Sequence, residues 1–212
     1  GFYQLKEIAP NMASNLAPLP TGFGMGFVNG ICNFFSDFNQ SLQYLGNLSG
    51  YQISGVHSAS LGFGVDLQKA VFAKMFGVCY ESMREIHHAL DHFFTANPNG
   101  VYLLVCHSRG YADICSALMT YHPTLRQQVL VLGVAPAQFA DQDYCMDARH
   151  LVSTGDFVYL TDPFGYQRCK NTIQFLEPHP DAHWFDHNFD SPTYKQSIKY
   201  RIEQAISLRK FE

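Results

Sequence analysis

One hydroxyl in the chain stands where a nucleophile is presented. Ser108 lies in Cys106-His107-Ser108-Arg109-Gly110, directly after the apolar run Val101 to Val105 and directly before a helical pattern that starts at Tyr111. A strand that turns at once into a helix lifts the intervening serine oxygen clear of the strand's carboxyl end. The turn needs small residues two before and two after the serine, because backbones approach closely there. Gly110 meets the second requirement. Cys106 replaces the first glycine of the pattern; it is small, so the turn is feasible but more crowded. Arg109 opens the helix, and its backbone N–H is placed to meet a developing oxyanion, helped by the positive helix terminus. Ser108 could be no more than a helix cap, but the full strand–turn–helix context favours a nucleophile. His107 reads as a residue packed against the sheet. Arg109 is read either as a ligand for an anionic group or as a solvated side chain.

Other reactive side chains form weaker patterns. His88 and His92 share one helix face, with His87 beside them. No glutamate stands between them in a His-Glu-x-x-His arrangement, so they read as surface residues rather than a zinc site. Cys106 would suit a phosphatase only with an arginine six positions on, and position 112 is alanine. The six cysteines, Cys32, Cys79, Cys106, Cys115, Cys145 and Cys169, include no Cys-x-x-Cys pair. Several sit in apolar runs as small hydrophobes, which places the chain in a reducing, cytoplasmic compartment, with secretion into a host cell left open.

The elements that must position Ser108 follow from apolar periodicity. The chain has 212 residues, 47% hydrophobic and 15% charged, which fits one well-buried domain and not a disordered chain. A net charge of −4, from 14 basic and 18 acidic residues, gives no basic excess for nucleic acid. No apolar run approaches the roughly 20 residues of a spanning helix, and no charged segment followed by an apolar stretch opens the chain. The first 22 residues read as an irregular arm, and 23–212 as a single domain. Strands are expected at Phe23 to Asn29, Tyr51 to His57, Val101 to Val105, Gln128 to Val134, Leu151 to Ser153 and Thr172 to Leu176. Helices are expected over Ile31 to Leu48, from Asp66 past Met75, Glu81 to Phe94, Tyr111 to Tyr121 and Ser191 to Phe211, the last with Ser191 as cap and Pro192 in its first turn. The pairs Phe34-Phe35 and Phe93-Phe94 read as core. The alternation of strand and helix predicts an α/β fold, with a mostly parallel central sheet flanked by helices.

At the elbow the sequence resembles the serine esterases and lipases of the α/β-hydrolase superfamily, since Cys106-His107-Ser108-Arg109-Gly110 is similar to their Gly-His-Ser-x-Gly with one substitution. Residues from about 23 to 210 also resemble an uncharacterised chlamydial family of hydrolase-like proteins. That likeness rests on Phe27-Val28-Asn29-Gly30, the elbow, Gly155-Asp156-Phe157-Val158 and His187-Asn188-Phe189. The superfamily resemblance implies an α/β-hydrolase fold, compact with little or no lid, and partners in the order Ser, acid, His. The implied acid is Asp156, just past a late strand, with Asp162 in reserve. The implied base lies in the loop from Pro178 to Ser191: His187, closest to the helix cap, then His183, then His179. The second oxyanion donor would be the backbone N–H of Gly30 or Ile31, with Asn29 shaping that loop.

The resemblance therefore implies a serine hydrolase that cleaves a small-molecule carboxylic ester, acyl or lipid-like, through an acyl-enzyme and without metal or organic cofactor. Two alternatives share the scaffold. One is a catalytically inactive binding protein, which the replaced glycine at 106 would produce by misplacing the hydroxyl. The other is a thioesterase or acyltransferase with the same three residues. Oligomeric state is not legible in the sequence.

Overall fold

The computed structural model describes residues 2–4, 15–29, 35–56 and 80–209. Among the described residues its spine is a sheet of seven strands: β1 (Phe2–Gln4), β2 (Phe23–Val28), β3 (Ser54–Val56), β4 (Val101–His107), β5 (Val129–Val134), β6 (Asp147–Ser153) and β7 (Ile173–Leu176). The spatial order is β1-β3-β2-β4-β5-β6-β7. From β3 to β7 all neighbours are parallel, and β1 runs antiparallel along β3. The central pair β4 and β5 is apolar at almost every position and buried throughout, as strands covered on both faces must be.

Helices cover the two faces. Helix α1 (Phe35–Ser49) and helix α5 (Pro192–Ser207) pack on one side, where Phe38, Leu42, Tyr194 and Ile198 meet Phe27, Leu103, Val105 and Leu132. Helix α2 (Tyr80–Ala96) and helix α3 (Gly110–Thr120) pack on the other, where Ile86, Leu90, Ile114 and Leu118 meet Tyr102, Leu104, Cys106 and Val131. The side chains of β4 alternate between the two layers, as the strand period of two requires. Burying one such large apolar side chain contributes about 1.5–3 kcal/mol. Stability therefore resides in these two layers, and the loops at the strand ends are left to carry chemistry. Helix α4 (Pro163–Cys169) packs beside β6 and β7, where Tyr166 and Cys169 join Val152 and Ile173.

The α/β architecture with a central parallel sheet is as the sequence predicts, with differences in the elements; the strand expected from Tyr51 to His57 spans only Ser54–Val56 among the described residues. The N-terminal arm, expected to be irregular, contributes Phe2–Gln4 as an edge strand. The strand expected over 151–153 begins at Asp147, because Asp147 and Arg149 pair with each other at 2.8 Å and so tolerate strand positions. Helix α4 was not expected; Asp162 caps it, accepting from the Gly165 N–H, and Pro163 opens it. Helix α5 ends at Ser207, short of Phe211. The helix expected from Asp66 past Met75 lies outside the described residues, as do residues 31–34.

Because the strands are parallel, their carboxyl ends share one edge of the sheet. The turn after β4, the loop after β5 from Ala135, the loop after β6 from Thr154 and the loop after β7 from Glu177 all emerge there. Crevices at this edge are where open α/β sheets hold ligands.

Candidate active site

Ser108 sits between the last residue of β4 and the start of α3 with φ = +52°, in the left-handed region. A residue with a side chain enters that region at a cost, and the surroundings hold it there. The Ser108 N–H donates to the Val134 carbonyl (3.2 Å), and its own carbonyl accepts from Ala137 (3.2 Å). Ala135, the first residue past β5, is likewise left-handed at φ = +47°. Gly110 makes the tight turn possible. A Cβ there would lie 2.5 Å from the carbonyl oxygen of Val28 and 2.6 Å from that of Asn29. The start of α3 thus rests directly on the backbone at the end of β2.

Cys106 does not spoil this turn. Its side chain is fully buried on the face of α2 and α3, with Sγ 3.6 Å from the Leu132 carbonyl. Tyr111 lies against the neighbouring strand at Gly133, where a Cβ would meet its ring at 2.2 Å. The missing side chain at 133 leaves room for the Tyr111 ring in the first turn of α3. Burial pushes the Cys106 thiol well above its ordinary pKa, so it is an inert packing group. Cys115, Cys145 and Cys169 are free as well, and Cys106, Cys145 and Cys169 are buried; Cys32 and Cys79 lie outside the described residues.

The Ser108 hydroxyl is 3.0 Å from His187 Nε2, and His187 Nδ1 is 2.9 Å from Asp156 Oδ2. With Nδ1–H donating to the carboxylate, Nε2 is left as the acceptor for the serine O–H. Asp156 is fully buried, and its second oxygen accepts from the Val158 N–H at 2.9 Å. Both carboxylate oxygens are therefore occupied and the imidazole has one orientation. His187 keeps partial exposure, so the far side of Ser108 opens to solvent.

His187 is anchored on both sides. Next to it, Asp186 is buried and accepts from three hydroxyls: Ser153 (2.6 Å) at the end of β6, and Ser191 and Thr193 (2.6 Å) at the start of α5. Tyr194 donates to the Asp186 carbonyl (2.9 Å) and accepts from the Ser153 N–H. Two residues past His187, Phe189 is buried against Phe27, with ring centroids 4.7 Å apart. His107 adds a third tether, its Nε2–H donating to the His187 carbonyl at 2.6 Å. Burial, and then the neighbouring His187, lower the His107 pKa to about 4. His107 thus stays neutral and does not oppose a positive charge on His187.

Ser108, Asp156 and His187 are thus brought together. Asp162 caps α4 and accepts from the Phe139 N–H, making no bond to a histidine. His183 and His179 are exposed, and their Nδ1 atoms accept from Phe185 and Asp181 of their own loop. Arg109 is at the cap position of α3 and its side chain is buried, contrary to the solvated reading. Asn29 is buried at the end of β2; Gly30 and Ile31 lie outside the described residues. His87 packs between α2 and α3, 2.7 Å from the Ala117 carbonyl, rather than on the surface, while His88 and His92 are exposed. Phe94 is core, as expected, with Phe93 packed against it.

Sequence reasoning missed Asp186 and the bond from His107. Asp186 carries no local signal, since its partners are separated from it by 33, 5 and 7 positions. His107 packs as expected, but its partner is 80 residues away.

No protein-family model matches the chain, and no curated protein matches it in sequence. Solved structures do. The chain is similar to a putative α/β hydrolase of unknown function from Agrobacterium tumefaciens (TM-score 0.56, 15% identity, 92% of each chain covered). It is similar to an arylesterase (TM-score 0.55, 11% identity, 97% of this chain and 91% of that one). It is also similar to an α/β serine hydrolase without a lid from Xanthomonas campestris (TM-score 0.52, 12% identity, 89% and 86% covered). At such identities the likeness is one of fold: the chain has the α/β-hydrolase fold.

Proposed function

We propose that this α/β-hydrolase-fold protein is a serine hydrolase that cleaves a carboxylic ester, with Ser108 as nucleophile, His187 as general base and acid, and Asp156 as the carboxylate that orients the imidazole. The observation that carries the reading is the unbroken chain from Ser108 Oγ to His187 Nε2 (3.0 Å) and from His187 Nδ1 to Asp156 (2.9 Å) at the carboxyl edge of the sheet. The esterase and serine hydrolase among the solved structures of this fold are consistent with it.

In this mechanism Ser108 Oγ attacks the ester carbonyl carbon and its proton passes to His187 Nε2. Asp156 stabilises the resulting imidazolium and holds its tautomer. The oxyanion meets the backbone N–H of Arg109 at the start of α3; the expected second donor, residue 30 or 31, lies outside the described residues. The tetrahedral adduct collapses, the carbon–oxygen bond to the alcohol breaks, and His187 returns the proton to the leaving oxygen. Water then attacks the acyl-serine with His187 taking its proton, the bond from the acyl carbon to Ser108 Oγ breaks, His187 returns the proton to Oγ, and the carboxylic acid leaves. No step calls for a metal or organic cofactor.

The inactive-scaffold reading depended on Cys106 displacing the hydroxyl. The buried Cys106 and the 3.0 Å contact of Ser108 with His187 speak against it. A fluorophosphonate probe tests the enzyme reading: covalent labelling that disappears in Ser108→Ala is expected. Folded protein that takes no label would overturn it. Acyl-CoA supplied with and without an alcohol then separates ester hydrolysis from the thioesterase and acyltransferase alternatives.

A further inference from the structure

Four large apolar side chains stand out from the loops that carry the proposed acid and base. Phe157 follows Asp156 directly and is 60% exposed; Leu160, one turn on, is 55% exposed; Phe164, in the first turn of α4, is 84% exposed. Trp184 is 82% exposed and stacks toward the site through Phe185, which lies 5.6 Å from the His187 ring. These loops leave the carboxyl ends of β6 and β7, the edge of the sheet where Ser108 opens, and Phe157 and Phe185 adjoin the Asp156–His187 pair directly. The loops are held firmly from beneath. The Thr161 hydroxyl donates to the Ala137 carbonyl, Asp162 accepts from the Phe139 N–H, and Asp186 binds its three hydroxyls. The apolar tips are therefore presented by a fixed base.

Exposed apolar groups gathered on one edge mark an interaction surface. Whatever covers this one must leave Ser108 within reach of its substrate. A bound protein would close the mouth, whereas an aggregated amphiphile would supply acyl groups to it. We infer that this aromatic rim docks on the surface of a zwitterionic lipid layer, from which the site draws an ester with an acyl chain; this rests on the ester-hydrolase reading above. Charge selects the kind of layer. No Lys or Arg occurs from Thr154 to Gln167 or from Asn171 to Tyr194; Arg168 and Lys170, between these stretches, stand at the end of α4 away from Phe164, with Arg168 paired to Asp141, while Glu177, Asp181 and Asp190 are exposed on the second stretch. Such a rim gains nothing from anionic headgroups and is repelled by them. Tryptophan suits the headgroup boundary, the indole keeping its N–H near water while its ring enters the apolar layer, and phenylalanine and leucine side chains enter that layer beside it.

The chain has one tryptophan, and it is Trp184, so its fluorescence reports on the rim alone. The test uses Ser108→Ala protein, which hydrolyses nothing, mixed with phosphatidylcholine vesicles. The expected result is a blue shift of Trp184 emission, protection from an aqueous quencher and co-sedimentation with the vesicles. Phe164→Ser, a change at an exposed position that leaves the core intact, should lower the partition coefficient about tenfold. Adding phosphatidylserine should weaken binding. Absence of any shift or co-sedimentation would overturn the inference, as would unchanged partitioning of Phe164→Ser or tighter binding to anionic vesicles. Because the vesicle experiment needs no turnover and the fluorophosphonate experiment needs no vesicles, failure of one leaves the other standing.

Discussion

Replacing Ser108 by glycine and by alanine should give opposite results from those expected almost anywhere else in the chain. Within regular structure, glycine is less stable than alanine by roughly 0.5–1 kcal/mol. At position 108 the backbone is left-handed, φ = +52°, which costs a residue bearing a Cβ about 1–2 kcal/mol. Both variants lose the hydroxyl bond to His187, so that loss of about 0.5–1.5 kcal/mol cancels between them. Glycine is relieved of the left-handed cost but loses about 0.4–1 kcal/mol through its freer unfolded chain. The difference favours Ser108→Gly over Ser108→Ala by about 0.5–1 kcal/mol. For a chain of this length that is about 1–4 °C in Tm. Thermal and urea unfolding of the two proteins side by side measures it, and neither should take the fluorophosphonate label. If Ser108→Ala melts at or above Ser108→Gly, the elbow is not strained and the account of how the hydroxyl is presented is wrong.

Three further outcomes can be stated. Asp156→Asn should keep the fold and lower ester turnover about 10⁴-fold, as wrong-tautomer triads do, while Asp162→Asn and His183→Ala remain close to the parent; steady-state kinetics on a soluble ester would expose a mistaken acid or base if the ranking reversed. Asp186→Ala should cost about 3–5 kcal/mol in urea unfolding, being a buried acceptor of three hydroxyl bonds, and a loss below 1 kcal/mol would mean that the loop is held by other contacts. Burial lowers the pKa of His107 to about 4 and that of His150 to about 3, so the unfolded chain takes up protons first as pH falls below 6.5. Their contribution is complete above that pH and shrinks on acidification, by about 4 kcal/mol for the pair at pH 5; unfolding free energies that stay flat from pH 7 to 5 would contradict it.

The sequence carried the centre of the molecule and lost its margins. The run from Val101 to Val105 is apolar at each position and ends in a turn that only a small residue at 110 permits, so β4, the elbow and α3 were all legible. Asp156 and His187 were reached through the order of partners in a resembled superfamily, because nothing in their immediate neighbours distinguishes Asp156 from Asp162 or His187 from His183. The fold separates them: one carboxylate faces an imidazole, while the other caps α4. Helix α4 escaped because seven residues are too few to show a period, although Asp162-Pro163 is a legible cap and first position. Strand β1 escaped because three residues have no pattern and their partner, Ser54–Val56, lies some fifty positions away. The Asp186 hub was invisible for the same reason, since its three hydroxyls meet only once β6 and α5 are assembled.

The contact at Gly110 has a consequence for how such a protein can diverge. There the beginning of one helix touches the end of one strand main chain to main chain, with the oxygens of Val28 and Asn29 as the stops. The separation between these two segments is set by atomic radii common to all amino acids, so no exchange of side chains elsewhere on either segment retunes it. Selection is free to rebuild the outer loops for new ligands while the gauge between helix and strand stays constant. Only a residue larger than glycine at that single point would throw the spacing out.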